Sequence, residues 1–128
     1  MTITVTGPNR TFKSTNDLRL KQFYIVKLTS GEIVLAAAAT DVLIGVLMNK
    51  PNAGENADVQ LINSQGTCKV ILGGSVSAGN MLTADSAGKA VATTSTGNYI
   101  LGMALEDGDS GDVIEFMPCG HQRYAATT

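Results

Sequence analysis

The amino-acid sequence predicts an all-β fold, a small β-barrel or sandwich of about nine or ten short strands with an internal duplication and an extended N-terminal arm. Short runs rich in β-branched residues recur along the chain, and glycine-containing turns separate them. The chain also repeats itself after 57 positions. Three pairs of glycines then align without a gap, Gly31 with Gly88, Gly45 with Gly102, and Gly54 with Gly111.

The composition supports one globular domain. The chain has 128 residues, of which 44% are hydrophobic and 16% are charged. A chain of this length and apolar content can bury a single core without stabilisation by disulfide bonds or metal ions. Because there is no tryptophan and only 5% of residues are aromatic, the core has to consist mainly of valine, isoleucine, leucine and alanine.

Each copy of the repeat is predicted to contain four strands. The first strand of copy 1 is FYIVKL at residues 23–28, and the turn TSGE leads into a second strand, EIVLA. The third is VLIGVLM at residues 42–48, whose central glycine marks a bend or a close backbone approach. An acidic loop then leads to the fourth strand. The six aligned glycines are predicted to be structural turn or bend glycines: Gly31, Gly45, Gly54, Gly88, Gly102 and Gly111.

The duplication also assigns the alanine run at residues 36–39. Alanine favours helix, but the equivalent residues 93–96 read TTST and have poor helix propensity. Since equivalent positions share a conformation, both segments are predicted to be strand ends and links. Between the copies, DVQLIN and TCKVIL are predicted to form a further hairpin across SQG.

The chain is predicted to have three segments: an extended arm at 1–21, a β-barrel domain at 22–120 and a tail at 121–128. The first 21 residues hold four basic residues and one acidic residue, a balance of +3, whereas the remainder holds five basic and ten acidic residues, a balance of −5. An acidic body argues against a nucleic-acid partner. The most apolar stretch, residues 33–48, is too short and too broken for a membrane span.

Catalytic and metal sites are not predicted. His121 is the only histidine, and Cys119 two residues before it lacks the orienting group and oxyanion hole that a thiol enzyme needs. Cys68 with these two residues would still leave a zinc site one ligand short. Pairing of Cys68 with Cys119 stays open. We therefore expect no enzyme, no cofactor and no metal.

Two further motifs resemble functional sites, one a carrier lysine and the other a calcium loop. Lys89 follows the glycine of a predicted hairpin turn, and this resembles the lysine-bearing hairpin of lipoyl and biotinyl carrier domains, although the apolar pair that flanks the biotinyl lysine is missing. A carrier domain is therefore a competing interpretation. The loop EDGDSGD resembles a calcium loop, but Gly111 stands at a ligand position and the required glutamate is missing. A solvated acidic loop is the expected structure.

The order and spacing of turns resemble those of the capsid cement, or decoration, proteins of tailed bacteriophages. The similarity runs from residue 23 to about residue 117, and Asn80 replaces the aspartate usual in that family. The matching residues are Gly45, Val46, Pro51, Ala53, Gly54, Glu55, Val59, Ala78, Gly79, Leu82, Thr83, Gly88 and 102–105.

The resemblance implies a β-rich structural protein without catalytic activity that binds the outside of an assembled capsid and bridges major capsid subunits. It implies a virion location on the capsid exterior after synthesis in the host cytoplasm. We expect a homo-oligomer, a trimer before a dimer, because such proteins sit where several subunits meet. A head-fibre base is the alternative within the same class.

The N-terminal arm is the predicted contact with the capsid. It belongs to neither copy of the repeat, so it is expected to lack a strand partner in the body and to pair with a strand edge of another subunit. The predicted partner-binding residues are Arg10, Lys13 and Arg19, with Phe12 as an apolar anchor.

Overall fold

The computed structural model describes residues 9–63 and 66–123, the last four of these without their side chains. This part of the chain has no helix and contains ten strands, which confirms the predicted all-β fold. The first five strands are β1 (Asn9–Ser14), β2 (Ile25–Thr29), β3 (Glu32–Leu35), β4 (Leu43–Leu47) and β5 (Asn56–Leu61). The last five are β6 (Cys68–Ile71), β7 (Met81–Ala84), β8 (Ala90–Ala92), β9 (Tyr99–Ala104) and β10 (Val113–Arg123).

The ten strands form two five-stranded units with the same connectivity. Strands β1–β5, called repeat 1, form a closed barrel in the order β1-β3-β2-β4-β5. Strands β6–β10, called repeat 2, form a sheet in the order β6-β10-β9-β7-β8. In repeat 1 the parallel pair β1–β3 closes the barrel, whereas in repeat 2 the equivalent contact is a single parallel bridge from Leu72 to Ala90.

The strand register shows that equivalent residues of the two repeats form equivalent cross-strand pairs. Gly45 pairs with Leu61 across β4 and β5, and Gly102 pairs with Pro118 across β9 and β10, so each partner moves by 57 positions. A Cβ atom added at Gly45 would press on the carbonyl oxygen of Gln60, and one added at Gly102 would press on that of Met117. Both glycines therefore permit the close backbone approach that the sequence predicted.

One part of the alignment predicted from sequence is off by a residue. Strand β2 ends in a two-residue turn, with Ser30 and Gly31 both at positive φ, whereas the turn after β7 has one residue more. Both turns contain a glycine with positive φ, at +80° in Gly31 and +81° in Gly88. Strands β2 and β7 are consequently related by 56 positions, so Leu28 is equivalent to Ala84 rather than to Asp85.

The first strand corrects the prediction for the arm. Residues Asn9–Ser14 pair antiparallel with β5 and parallel with β3, so the expectation of no partner within the body is wrong for this segment. Its equivalent in repeat 2 is β6, displaced by 58 positions. Each repeat thus has five strands, not the predicted four. Residues 1–8 and 124–128 lie outside the described residues, so the boundaries of the predicted arm and tail stay predictions.

The predicted hairpin between the copies is also wrong. Strand β5 pairs with β1 and β4, and β6 pairs with β10, so DVQLIN and TCKVIL belong to different sheets. The alanine run at residues 36–39 is a link without helix, as predicted.

The interior consists of two apolar clusters. The first fills the barrel of repeat 1 with residues such as Val26, Leu47 and Val59. The second combines the interior of repeat 2, including Phe116, with the outer face of repeat 1, including Val46. The two repeats therefore share one continuous core at their junction.

The backbone of repeat 1 also enters the gap in the sheet of repeat 2. The amide of Ile71 on β6 donates to the carbonyl of Phe23 at 3.0 Å, and the amide of Ile25 donates to the carbonyl of Gly88 at 2.7 Å. These two bonds join β6 to the turn before β8 through the segment 23–25. Strand pairing within repeat 1 supplies the same connection directly through β1 and β3.

Candidate functional site

The first candidate surface is the loop after β1, residues 17–21, which we call the basic loop. Leu18 anchors this loop, because its side chain is buried and its amide donates to the carbonyl of Pro51 at 2.9 Å. The next residue, Leu20, is 89% exposed and stands between Arg19 and Lys21. Exposed leucine flanked by two cations is suited to contact a partner that is apolar and acidic.

An ion pair sets the shape of the basic loop. Arg19 donates from Nε to Asp17 Oδ1 at 2.9 Å and from Nη2 to Asp17 Oδ2 at 2.8 Å. These side-chain hydrogen bonds, reinforced by the Arg19 amide, lower the pKa of Asp17 to about 2. On the other side, Lys21 Nζ lies 4.9 Å from the centre of the Tyr24 ring. Together with Leu20, three of these charged residues line a hollow of about 330 Å³.

The second candidate surface is an apolar groove at one end of the repeat 1 barrel, which we call the barrel mouth. The guanidinium of Arg10 covers the ring of Phe12 at 4.6 Å, and Leu28 is 46% exposed. The groove has a volume of about 240 Å³. Its lining residues are Arg10, Phe12, Leu28, Ile44, Leu61, Ile62 and Asn63.

The third candidate surface is a row of three methionines on the outer face of repeat 2, which we call the methionine row. Met81 pairs with Met103 across β7 and β9, and Met103 pairs with Met117 across β9 and β10. Directly paired residues project from the same face of a sheet, so the three side chains are neighbours. Met117 is 44% exposed, and Leu105 beside the row is 39% exposed. Methionine is flexible and is common at protein-binding surfaces.

The acidic loop after β9 organises itself through its carboxylates. Asp107 accepts a hydrogen bond from the amide of Ala78 at 2.7 Å, and Asp112 accepts from the amide of Asp109 at 2.9 Å. Asp109 accepts from the hydroxyl of Ser75 at 3.1 Å. These carboxylates thus hold two loops together, and the described residues contain no group of three side chains suited to a metal ion.

The predicted partner-binding residues do not form one constellation. Arg10 and Phe12 lie together at the barrel mouth, with Phe12 packed against the core cluster of repeat 1. Lys13 is exposed on the same strand, opposite Asn56 on β5, and Arg19 belongs to the basic loop. The residues predicted from sequence to form one partner-binding surface therefore belong to two separate surfaces, the barrel mouth and the basic loop.

Sequence reasoning missed Leu20 and the methionine row. Leucine in a loop carries no periodic signal, so only the structure reveals its exposure. The methionine row has a signal in the repeat: three equivalent positions all carry methionine in the second copy, at Met81, Met103 and Met117. In the first copy the same positions carry Ile25, Val46 and Gln60.

The cysteines and Lys89 do not form a reactive cluster among the described side chains. Both thiols are free, and burial raises the pKa of Cys68 to about 12 and also raises that of Cys119. Such thiols stay protonated and are poor nucleophiles. Lys89 immediately precedes β8 and is half-buried, with its ammonium 5.9 Å from the centre of the Tyr24 ring. The side chain of His121 lies outside the described residues.

The described part of the chain contains no helix that is long and apolar enough to cross a membrane.

Comparison with known proteins identifies a matching family and solved structures of similar fold. The sequence model of a family described as phage cement protein matches residues 21–118. The solved structure of the head fiber gp8.5 N base of bacteriophage phi29 is similar with a TM-score of 0.71 and 19% sequence identity. That similarity covers 89% of this chain and 95% of the other. A search of curated proteins found no match.

Proposed function

The chain belongs to the phage cement protein family, and we propose that it binds the outer surface of an assembled phage capsid and bridges neighbouring major capsid subunits. Family membership makes it a structural protein of a phage virion. The observation that carries the proposal is the family match over residues 21–118, which contains β2 to β9 and the first half of β10.

The basic loop is the proposed contact with the capsid. It combines one almost fully exposed apolar side chain, Leu20, with the cations Arg19 and Lys21. Lys13 on β1 adds a further exposed cation in the same N-terminal part of the chain. Cations at the rim of an interface accelerate association with an acidic surface, and a desolvated apolar residue at its centre provides most of the binding free energy.

Several copies acting together would strengthen a modest contact of this kind. We propose a homo-oligomer, a trimer before a dimer, placed where capsid subunits meet. Once one copy of the oligomer is bound, the remaining copies bind at a high effective concentration, so the total affinity exceeds that of one contact. This would oppose the outward pressure of packaged DNA.

The test is to mix the purified chain with mature phage heads that lack it. We expect saturable binding at a fixed copy number per head and heads that retain their DNA at higher temperature. Binding that never saturates, or saturation without any effect on heat resistance, would contradict cement function.

A matched pair of variants tests the basic loop. Leu20→Asp is expected to weaken head binding about tenfold or more, since it removes an apolar anchor and adds a like charge to an acidic target. Val113→Asp is the control, because Val113 is also exposed but lies on β10. Equal head affinity of the two variants would move the capsid contact away from the basic loop.

The capsid contact predicted from sequence for the N-terminal arm is now proposed, as far as an extended terminal segment is concerned, only for residues 1–8. Deleting residues 1–20 would remove β1 and open the barrel, so that deletion cannot test a contact made by the terminal segment alone. Deleting residues 1–8 leaves β1 complete, and we expect weaker head binding with an unchanged melting temperature. Deleting residues 124–128 is the control at the other terminus.

A head-fibre base is the second candidate, favoured by the fold shared with the phi29 head fiber gp8.5 N base. Electron microscopy of saturated heads separates the two. Cement adds a low, close-fitting layer to the capsid, whereas a fibre base carries a projection.

A further inference from the structure

We propose that the methionine row of one chain packs into the barrel mouth of a second copy, so that chains associate head to tail. The inference rests on the proposed function only in that it names the contact by which the homo-oligomer forms. We infer this head-to-tail contact from the way in which the two repeats pack against each other within a single chain.

Within the chain, the outer face of repeat 1 covers repeat 2. Ile25 and Val46 are paired across β2 and β4, and both are fully buried in the core cluster that contains Val70 and Leu101. Strand β4 contacts β6 and β9 across this junction. The face of repeat 1 formed by β2 and β4 is thus matched to the face of repeat 2 formed by β6 and β9.

The two faces that meet are different parts of the repeat. The residues of repeat 2 in the junction include Val70, Ala84 and Leu101, and each is at most 1% exposed. Their equivalents in repeat 1, by the register established above, are Phe12, Leu28 and Ile44, and these line the barrel mouth. A contact between unlike faces is heterologous, and it leaves one face of each kind uncovered at the two ends of the pair.

The uncovered faces are the two surfaces already described. Val42, which directly precedes β4, is 52% exposed, whereas its equivalent Tyr99 is buried in the core cluster at the junction. At the other end, Met81 and Met103 are the equivalents of Ile25 and Val46, and Leu105 is the equivalent of Met48. Each chain therefore has two uncovered apolar faces. The covering face of repeat 2 packs on no barrel mouth within the chain, and no covering face packs on the barrel mouth of repeat 1.

A second copy of the chain is the occupant that satisfies both ends at once. The covering face of repeat 2 is apolar and rich in methionine, which adapts to grooves of differing shape. Charge favours the same arrangement. Repeat 1 has six basic and five acidic residues over 9–63, a balance of +1, and repeat 2 has three basic and six acidic over 66–123, a balance of −3. Repeat 2 of one copy is thus electrostatically attracted to repeat 1 of the next.

Head-to-tail contacts close into a ring when the rotation between neighbours allows it. A ring of three chains would contain six repeats in alternating order, each covering the next in the same way. This arrangement agrees with the trimer proposed above and leaves the basic loop, on neither of the paired faces, available to the capsid.

Two variants, one on each face, test the contact in solution without any capsid. Met117→Lys charges the methionine row, and Leu28→Lys places a cation beside Arg10 at the barrel mouth. Both side chains are nearly half exposed, so each variant is expected to keep its circular dichroism spectrum and melting curve. We expect the wild-type chain to sediment as an oligomer and each variant alone to sediment as a monomer, whereas Val113→Lys keeps the wild-type mass.

Mixing the two variants distinguishes head-to-tail contact from like-face contact. The Leu28→Lys chain keeps its methionine row and the Met117→Lys chain keeps its barrel mouth, so the mixture is expected to form a one-to-one complex. A monomeric wild-type chain overturns the inference, as does either variant that keeps the wild-type mass, or a mixture without a complex. A monomeric chain that still saturates phage heads would overturn this inference alone and leave the proposed function standing.

Discussion

The two repeats keep the same strand register but fill their interiors differently. Leu47 pairs with Val59 in repeat 1, and the equivalent pair in repeat 2 is Ala104 with Phe116. All four side chains are buried. One repeat therefore uses two side chains of middle size where the other uses a small and a large one. The comparison indicates that close glycine contacts fix the backbone, whereas side-chain volume is exchanged between paired positions.

The largest expected effect comes from transferring one pair into the other repeat. Leu47→Ala should lower the free energy of unfolding by about 2–5 kcal/mol, because it leaves a cavity. Val59→Phe should cost about 1–3 kcal/mol by overpacking. In the double variant the ring occupies the cavity, so the loss should be smaller than the sum of the two. Denaturant unfolding of all four proteins measures the coupling, and strict additivity would contradict volume exchange.

A smaller effect is expected where the repeats differ in backbone strain. Phe23 has φ of +71°, and its equivalent in repeat 2 is Gly79 with φ of +93°. Alanine keeps the strain that glycine avoids, so Phe23→Gly should be more stable than Phe23→Ala by about 1 kcal/mol. Thermal unfolding of both variants checks this order.

Gly79→Ala is the matched control for Phe23. Nothing lies within 4 Å of the added methyl group, so any loss reports on the backbone alone and is expected to be about 1 kcal/mol. The opposite order at position 23, with alanine the more stable, would show that this positive φ costs little.

The smallest expected effect concerns a charge present in only one repeat. Asp41 Oδ2 accepts from the amide of Ala37 at 2.8 Å and from Lys27 Nζ at 3.0 Å. The Ala37 amide and the ammonium lower the pKa of Asp41. Its equivalent in repeat 2 is Asn98, which donates to the hydroxyl of Thr93 instead.

Asp41→Asn should cost about 0.5 kcal/mol at pH 7. Because the folded-state pKa is lowered, this stability is present above the unfolded-state pKa and is lost as pH falls through the folded-state value. Urea unfolding should therefore show the two proteins converging below about pH 4. A difference independent of pH would contradict a charged interaction. Asn98→Asp, with no lysine at the equivalent position, should gain nothing.

The sequence was sufficient for the fold class, the total of nine or ten strands and the duplication, because glycine positions and β-branched runs are local signals, but it assigned four strands instead of five to each repeat. It failed for β1, whose partners are β3 and β5, since the sequence NRTFKS carries too little apolar periodicity to reveal them. The false hairpin across SQG failed for the opposite reason, because adjacent strands separated by a turn residue normally pair.

Partner surfaces were harder to predict than the fold. The basic residues were visible in the sequence, but their division between the barrel mouth and the basic loop depends on which way each strand turns. The exposure of Leu20 and of Met117 is a tertiary property, set by what packs nearby.

Segment 23–25, which joins β6 to the turn before β8, makes the two halves unequal during synthesis on the ribosome. The N-terminal half holds all the strands of its own barrel and can close as soon as it leaves the exit tunnel. The C-terminal half emerges with a gap that only the finished first half can fill. The earlier half is therefore a template for the later one, and the later half expressed by itself should not reach its native form.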